Sequence, residues 1–113
     1  SVIITNPTHF AVALKYAPDM RDTPYIIAMG KGAMALRIID EADKASISRV
    51  RSPLLARALF FTGDIGADVA EDLFSAVASV LAYVLQLERG ANPSFEDPKV
   101  PSDLLYDEFG AKL

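Results

Sequence analysis

Apolar residues fall along this chain in two different rhythms, and the change of rhythm divides it. Val2-Ile3-Ile4-Thr5 and Phe10-Ala11-Val12-Ala13-Leu14-Lys15-Tyr16 are rich in β-branched, aromatic and apolar residues. The polar group Asn6-Pro7-Thr8-His9 separates them, a pattern that predicts strand, tight connection, strand. A loop from Ala17 to Pro24 follows, then Tyr25-Ile26-Ile27-Ala28-Met29, which reads as a third, buried strand ended by Gly30-Lys31-Gly32. From there the period lengthens. Ala35, Ile38, Ile39 and Ala42 recur at helical spacing with Arg37, Asp40, Glu41 and Lys44 turned away, predicting an amphipathic helix over 31–45. An extended piece around Ile47 to Arg51 leads to Ser52-Pro53, a suitable N-cap and first helical residue, and a second helix over 53–61 stops at Gly63. Asp68 and Glu71 resemble a capping box. Val69, Leu73, Val77, Val80, Leu81 and Val84 then share one face of a third helix over 69–88, closed by Arg89 and Gly90.

Beyond Gly90 the pattern dissolves. Pro93, Pro98 and Pro101 interrupt an acidic stretch with scattered apolar residues, so residues 91–113 are expected to be flexible or loosely docked, with a short helix near Ser102 to Phe109 as an option. The domain proper is thus residues 1–90, an α/β fold with a small central β-sheet surrounded by helices. The polar group lies in the loop between its first two strands.

Composition narrows the function. With 113 residues, 51% hydrophobic and 23% charged, one core is expected. The net charge of −4 with dispersed basic residues argues against nucleic acid. The absence of cysteine removes disulfides and thiolate chemistry, and a single histidine leaves little for a metal, so neither metal nor cofactor is expected. No apolar run approaches the roughly 20 residues of a membrane span. Starting at Ser1, one residue ahead of a strand, the chain reads as a fragment of something longer.

The candidate chemistry lies in Asn6-Pro7. An Asn-Pro pair is ordinarily a turn starter, but proline also lacks the backbone N–H through which asparagine normally cyclises and deamidates. What remains is the reverse attack, in which the Asn6 side-chain nitrogen adds to the Asn6 backbone carbonyl, closes a succinimide and expels Pro7 as a new N-terminus. Planar amides resist this, so the fold has to hold the groups together and supply donors to the developing oxyanion. A residue before proline is kept extended. Thr8 is a candidate donor through its hydroxyl or N–H, and His9 a candidate proton donor to the departing Pro7 nitrogen or an orienting residue.

Val2-Ile3-Ile4-Thr5-Asn6-Pro7-Thr8-His9-Phe10-Ala11-Val12-Ala13-Leu14 resembles the self-cleavage site of the FlhB/YscU family of flagellar and injectisome export components. Pro53-Leu54-Leu55-Ala56-Arg57-Ala58-Leu59-Phe60 is similar to a second segment of that family, and Ala76 to Val84 to its final helix. The departures are Ala28-Met29-Gly30 for the usual Ala-Lys-Gly and Val69-Ala70-Glu71 for Ile-Pro-Glu. The resemblance implies a domain on the cytoplasmic face of the bacterial inner membrane, C-terminal to a membrane region absent here. It further implies one self-inflicted cut between Asn6 and Pro7 instead of enzymatic turnover, and a switch of export from early to late substrates. The implied partners are export-gate and switch-control proteins and export substrates. The Ala82-Tyr83-Val84 ending and the Pro-rich tail favour the flagellar branch over the injectisome one.

The rival reading is a nucleotide-binding βαβ module, because Gly30-Lys31-Gly32 follows a strand and opens a helix. Against it, no acid stands near Arg49 to Arg51 to hold a ribose, and the chain is short for a dinucleotide fold. Arg57, polar amid Leu54, Leu55, Ala58 and Leu59, is expected to make a structural ion pair or, failing that, a partner contact.

Overall fold

The computed structural model describes residues 1–7 and 9–113. Four strands, β1 (Val2–Asn6), β2 (Phe10–Lys15), β3 (Tyr25–Lys31) and β4 (Ser48–Arg51), form one mixed sheet in the order β3-β2-β1-β4. β1 and β2 are an antiparallel hairpin, β3 adds antiparallel to β2, and β4 lies parallel to β1. Three helices cover it: α1 (Ala33–Lys44), α2 (Pro53–Thr62) and α3 (Phe74–Glu88).

Alternation along the two inner strands explains the layering. Val2, Ile4, Phe10, Val12 and Leu14 face the main core with α2 and α3. Ile3, Ala11 and Ala13 face the other way, onto Ala35 and Ala42 of α1. A sheet buried on both faces favours strands that are apolar at nearly every position, and β1 is buried throughout: Val2, Ile3 and Ile4 supply the apolar run, and the polar Thr5 and Asn6 are buried with them. The second face is built from alanines because a helix on small side chains sits close.

Three expectations are corrected. The third strand is an edge, not a buried strand. Only Ile26 and Gly30 are buried, and a register shift between Ala13 and Leu14 turns Ile27 out to 41% exposure. The third α-helix starts at Phe74, after a single 3₁₀ turn over Glu71–Leu73, because Asp68 is used elsewhere. Asp68 bridges to Tyr25 and accepts from Arg21, whose guanidinium also lies 3.9 Å over the Tyr25 ring. Ser52 does occupy the N-cap of α2 with Pro53 behind it, but its buried hydroxyl makes no cap and donates to Asp97 of the tail.

That bond is one of several that lay residues 91–113 along the body. Phe95 meets Tyr83 edge-on at 5.0 Å, Tyr106 stacks at a tilt on Phe61 at 5.4 Å, and Arg57 Nε donates to the Tyr106 carbonyl at 2.7 Å. Arg57 therefore clasps the tail's backbone, where the sequence suggested an ion pair. Within the tail the optional helix shrinks to one 3₁₀ turn at Ser102–Leu104, and a Tyr106–Lys112 bridge follows.

The Arg21–Asp68 pair carries a pH signature. The bond from Arg21, supported by one from Thr23, holds the Asp68 carboxyl below its ordinary value. A depressed carboxylate adds stability that is complete above the ordinary carboxylate range and disappears as pH falls through its lowered value. We expect Arg21→Ala to move the Asp68 titration, followed by NMR, upward toward the ordinary range. The stability gap between wild type and variant should shrink on acidification; an unmoved titration would refute the assignment.

Candidate functional site

The Asn-Pro group forms the tip of the β1–β2 hairpin, and each end of that tip is anchored. Asn6 is the last residue of β1 and is paired in register with Phe10, the first of β2. Phe10 is itself buried among Phe60 and Phe61 of α2, with ring centroids 5.0 and 5.6 Å away. Aromatic pairs in this geometry add stability beyond their buried area, so the loop leaves the sheet from two fixed points. Pro7 and His9 between them are exposed. Thr8, expected as a donor, lies outside the described residues.

At this tip the carbonyl and amide that cyclisation would join share a single buried residue. Asn6 is 8% exposed, and its Nδ2 is buried without a hydrogen-bond partner among the described residues. An unsatisfied buried amide of this kind costs about 1–3 kcal/mol, which makes it an exception that asks for a reason. The Asn6 carbonyl oxygen, by contrast, accepts the His9 main-chain N–H at 3.0 Å. Any nucleophile adding to that carbonyl would place negative charge on an oxygen that already has a donor. The His9 carbonyl in turn accepts the Gly32 N–H at 2.9 Å, so the far side of the loop is tied to the junction of β3 and α1.

The histidine ring reaches toward the tail. It is about half exposed, and its Nε2 stands 3.7 Å from a Glu108 carboxylate oxygen, too long for a hydrogen bond and pointing to the tail. What His9 brings to the Asn6 carbonyl in this arrangement is its backbone, not its imidazole. Two contributors were beyond the sequence reading: Gly32 as the loop's second tether, and Glu108 as the ring's neighbour. Neither has a local signature, because each meets the loop only through the fold.

The glycines of the rival reading have structural uses. A Cβ on Gly30 would lie 2.3 Å from the Met34 side chain, so glycine lets α1 turn back onto β3. Gly32 has φ of +59°, a region that L side chains rarely adopt, and its N–H is committed to His9. A phosphate cradle needs free N–H groups at the helix start; this one is already bonded.

A three-layer α/β domain organised around an Asn-Pro hairpin is a narrow class, and comparison with known proteins places the chain within it. The model of the FlhB HrpN YscU SpaS family matches residues 1–84, and the chain belongs to that family of flagellar and secretion export components. Among curated relatives it is 44% identical over 107 residues to the flagellar biosynthetic protein FlhB of Yersinia enterocolitica, covering 95% of this chain and 28% of that one. It is 42% identical to the hypersensitivity response secretion protein HrcU of Ralstonia nicotianae, covering 83% and 26%. The crystal structure of the cytoplasmic domain of FlhB from Shewanella putrefaciens superposes with a TM-score of 0.84 at 38% identity, covering 93% of this chain and 86% of that one. A mutated EscU C-terminal domain gives 0.70 at 35%, covering 73% and 87%. The chain spans about a quarter of the length of the curated relatives it matches. Among its described residues no helix is long and apolar enough to cross a membrane.

Because Gly32 ties the loop from a positive φ, Gly32→Val is expected to destabilise the domain by about 1–3 kcal/mol in denaturant melts. It should leave binding of a labelled nucleotide at background, as in the wild type. Saturable nucleotide binding by the wild type, abolished in the variant, would reinstate the rival reading.

Proposed function

We propose that this domain is the cytoplasmic part of a type III export component of the flagellar branch, which cuts its own backbone between Asn6 and Pro7 and thereby becomes competent to switch export from rod and hook subunits to filament subunits. The observation that carries the reading is the pair of opposite conditions at Asn6: a side-chain nitrogen buried without a partner among the described residues, and a carbonyl oxygen already held by the His9 N–H. Seven FlhB relatives at 39–45% identity support the flagellar branch. The HrcU and EscU likenesses keep the injectisome homologue, with the same chemistry, as the second reading.

In this mechanism Nδ2 adds to the Asn6 carbonyl carbon, and the oxygen takes up charge under the His9 N–H. Burial strips Nδ2 of the water that would otherwise compete for it, while pairing to Phe10 restricts the backbone about which the side chain must turn. The tetrahedral carbon then collapses to a succinimide, the bond to Pro7 breaks, and Pro7 nitrogen takes up a proton. The reaction happens once per molecule and processes no other substrate, so the domain acts as a self-modifying switch and not as a turnover enzyme.

The consequence of the cut follows from where β1 lies. It is an inner strand, hydrogen-bonded to β2 on one side and β4 on the other, so the severed residues 1–6 are expected to stay in the sheet while the Pro7 end of the loop is released. Cleavage would thus refit a surface and leave the core intact. In the full-length protein we place this surface at the cytoplasmic face of the inner membrane, facing other export-apparatus proteins.

Mass spectrometry of denatured, freshly purified protein should show a chain beginning at Pro7, with the fragment 1–6 recovered from the same sample. Asn6→Ala should stay intact. His9→Ala keeps the backbone N–H and should cut more slowly without stopping. Pro7→Ala restores a nitrogen able to attack the Asn6 side chain and should cut slowly, with deamidation alongside. Folded wild-type protein that remains whole for days at mildly alkaline pH would rule the proposal out.

A further inference from the structure

Beside the scissile bond, on the α1 side of the sheet, lies a cleft of about 340 Å³ lined by Thr5, Pro7, Leu36, Ile39, Arg49 and Arg51. Its floor is apolar and its rim is basic. The two arginines come from β4, the edge strand parallel to β1, where Arg51 is in register with Thr5 and Arg49 with Ile3. Residues two apart on a strand share a face, so both point to the side of the sheet that carries α1. Arg49 has one distant acidic neighbour, Asp43 at 3.8 Å. Among the described residues no carboxylate lies within ion-pair distance of Arg51. Two exposed arginines on one face of β4, lining a cleft with Pro7 in a chain of net charge −4, concentrate positive charge beside the loop.

We infer that this cleft is the receiving site for the α-carboxylate that self-cleavage creates on Asn6. The inference rests on the self-cleavage reading and extends it to the products. Cyclisation forms the Nδ2–carbonyl carbon bond and breaks the carbonyl carbon–Pro7 bond, and the proton lost by Nδ2 is matched by the one gained at Pro7 nitrogen. Water then opens the imide at the same carbon, regenerating the side-chain amide and leaving an α-carboxylate with release of one proton. At neutral pH the cut has therefore replaced one neutral peptide bond with an anion on Asn6 and a secondary ammonium on Pro7.

The position of the two charges relative to the cleft is what gives it a role. One carboxylate oxygen is the former carbonyl oxygen on the β2 side, where the His9 N–H was bonded. The other occupies the place vacated by the Pro7 nitrogen, and Pro7 is the residue that lines the cleft. Asn6 is one residue beyond the Thr5–Arg51 register pair, Arg51 is exposed on a long side chain, and arginine is suited to gripping a carboxylate with two parallel bonds. The same arginines repel the Pro7 ammonium. The cleft thus holds one new end against the sheet, drives the other away, and opposes re-formation of the bond.

The test uses the self-cut 113-residue protein and synthetic peptides of residues 1–6 made as the free acid and as the C-terminal amide. Each isotopically labelled peptide is exchanged into the cut domain, and its retention is followed by native mass spectrometry. The free acid should be held roughly threefold to tenfold longer than the amide, the scale of one or two exposed ion pairs, and the preference should fade in 1 M salt. In Arg49→Gln/Arg51→Gln, which retains most of the side-chain length, acid and amide should be held equally. The within-protein comparison of acid and amide separates charge recognition from any general weakening of the sheet. Equal retention in the wild type, or a preference that survives in the double variant, overturns the inference while leaving self-cleavage intact. A chain that never cuts overturns both.

Discussion

Everything distinctive about this domain depends on β1 lying inside the sheet with both faces covered. Five consecutive buried residues, paired antiparallel to β2 and parallel to β4, carry Asn6 to the end of a strand that has no freedom to slide, since a one-residue slip would exchange the residues facing α1 with those facing α2 and α3. The carbonyl of Asn6 is aimed by that pairing and its side chain is buried by the same packing. On the self-cleavage reading, the geometry that cyclisation needs is a by-product of how tightly the strand is held.

In the proposed self-cleavage, the same constraint separates the chemistry from its effect. Chain scission inside a core would expose apolar surface, whereas at the hairpin tip it interrupts the covalent path where the fold relies on it least. Val2 and Ile4 are held in the main core by packing and by pairing to β2 and β4, contacts that do not run through Pro7. The loop's tethers are of a different kind: one hydrogen bond from His9 to Asn6 and one from Gly32 to His9, each worth about 1 kcal/mol net. The bond proposed to break is therefore flanked by strong burial on one side and weak, reversible contacts on the other, an arrangement suited to a surface that changes once.

Residues 91–113 add a link that composition did not suggest. Their prolines and acids describe a segment unable to fold alone, yet Ser52, Arg57, Phe61 and Tyr83 each hold a part of it, and it runs far enough for Glu108 to stand beside His9. The tail obtains from the body's surface the partners it lacks internally. It thereby connects the α2 segment Pro53 to Phe60 with the hairpin that carries Asn6-Pro7.

Local sequence was sufficient for whatever depends on local physics. Alternating and helical periodicities predicted four extended pieces and three helices close to where they lie, and Asn6-Pro7 suggested the proposed chemistry because proline's missing N–H is a property of the residue itself. The misreadings share a cause. Asp68 looked like a helix cap and Ser52 like another, but each side chain has a distant partner, Arg21 or Asp97, that no spacing along the chain reveals. Tyr25 to Met29 looked like a buried strand because apolar content does not say which strand becomes the edge. That Asn6 Nδ2 has no partner among the described residues, that the His9 backbone serves the carbonyl while its ring turns to the tail, and that Arg49 and Arg51 border the cleft beside Pro7 were decided only by tertiary structure. Each is a relation between residues brought together by sheet order, and sheet order is set by the summed burial of the whole chain and not by any one stretch of it.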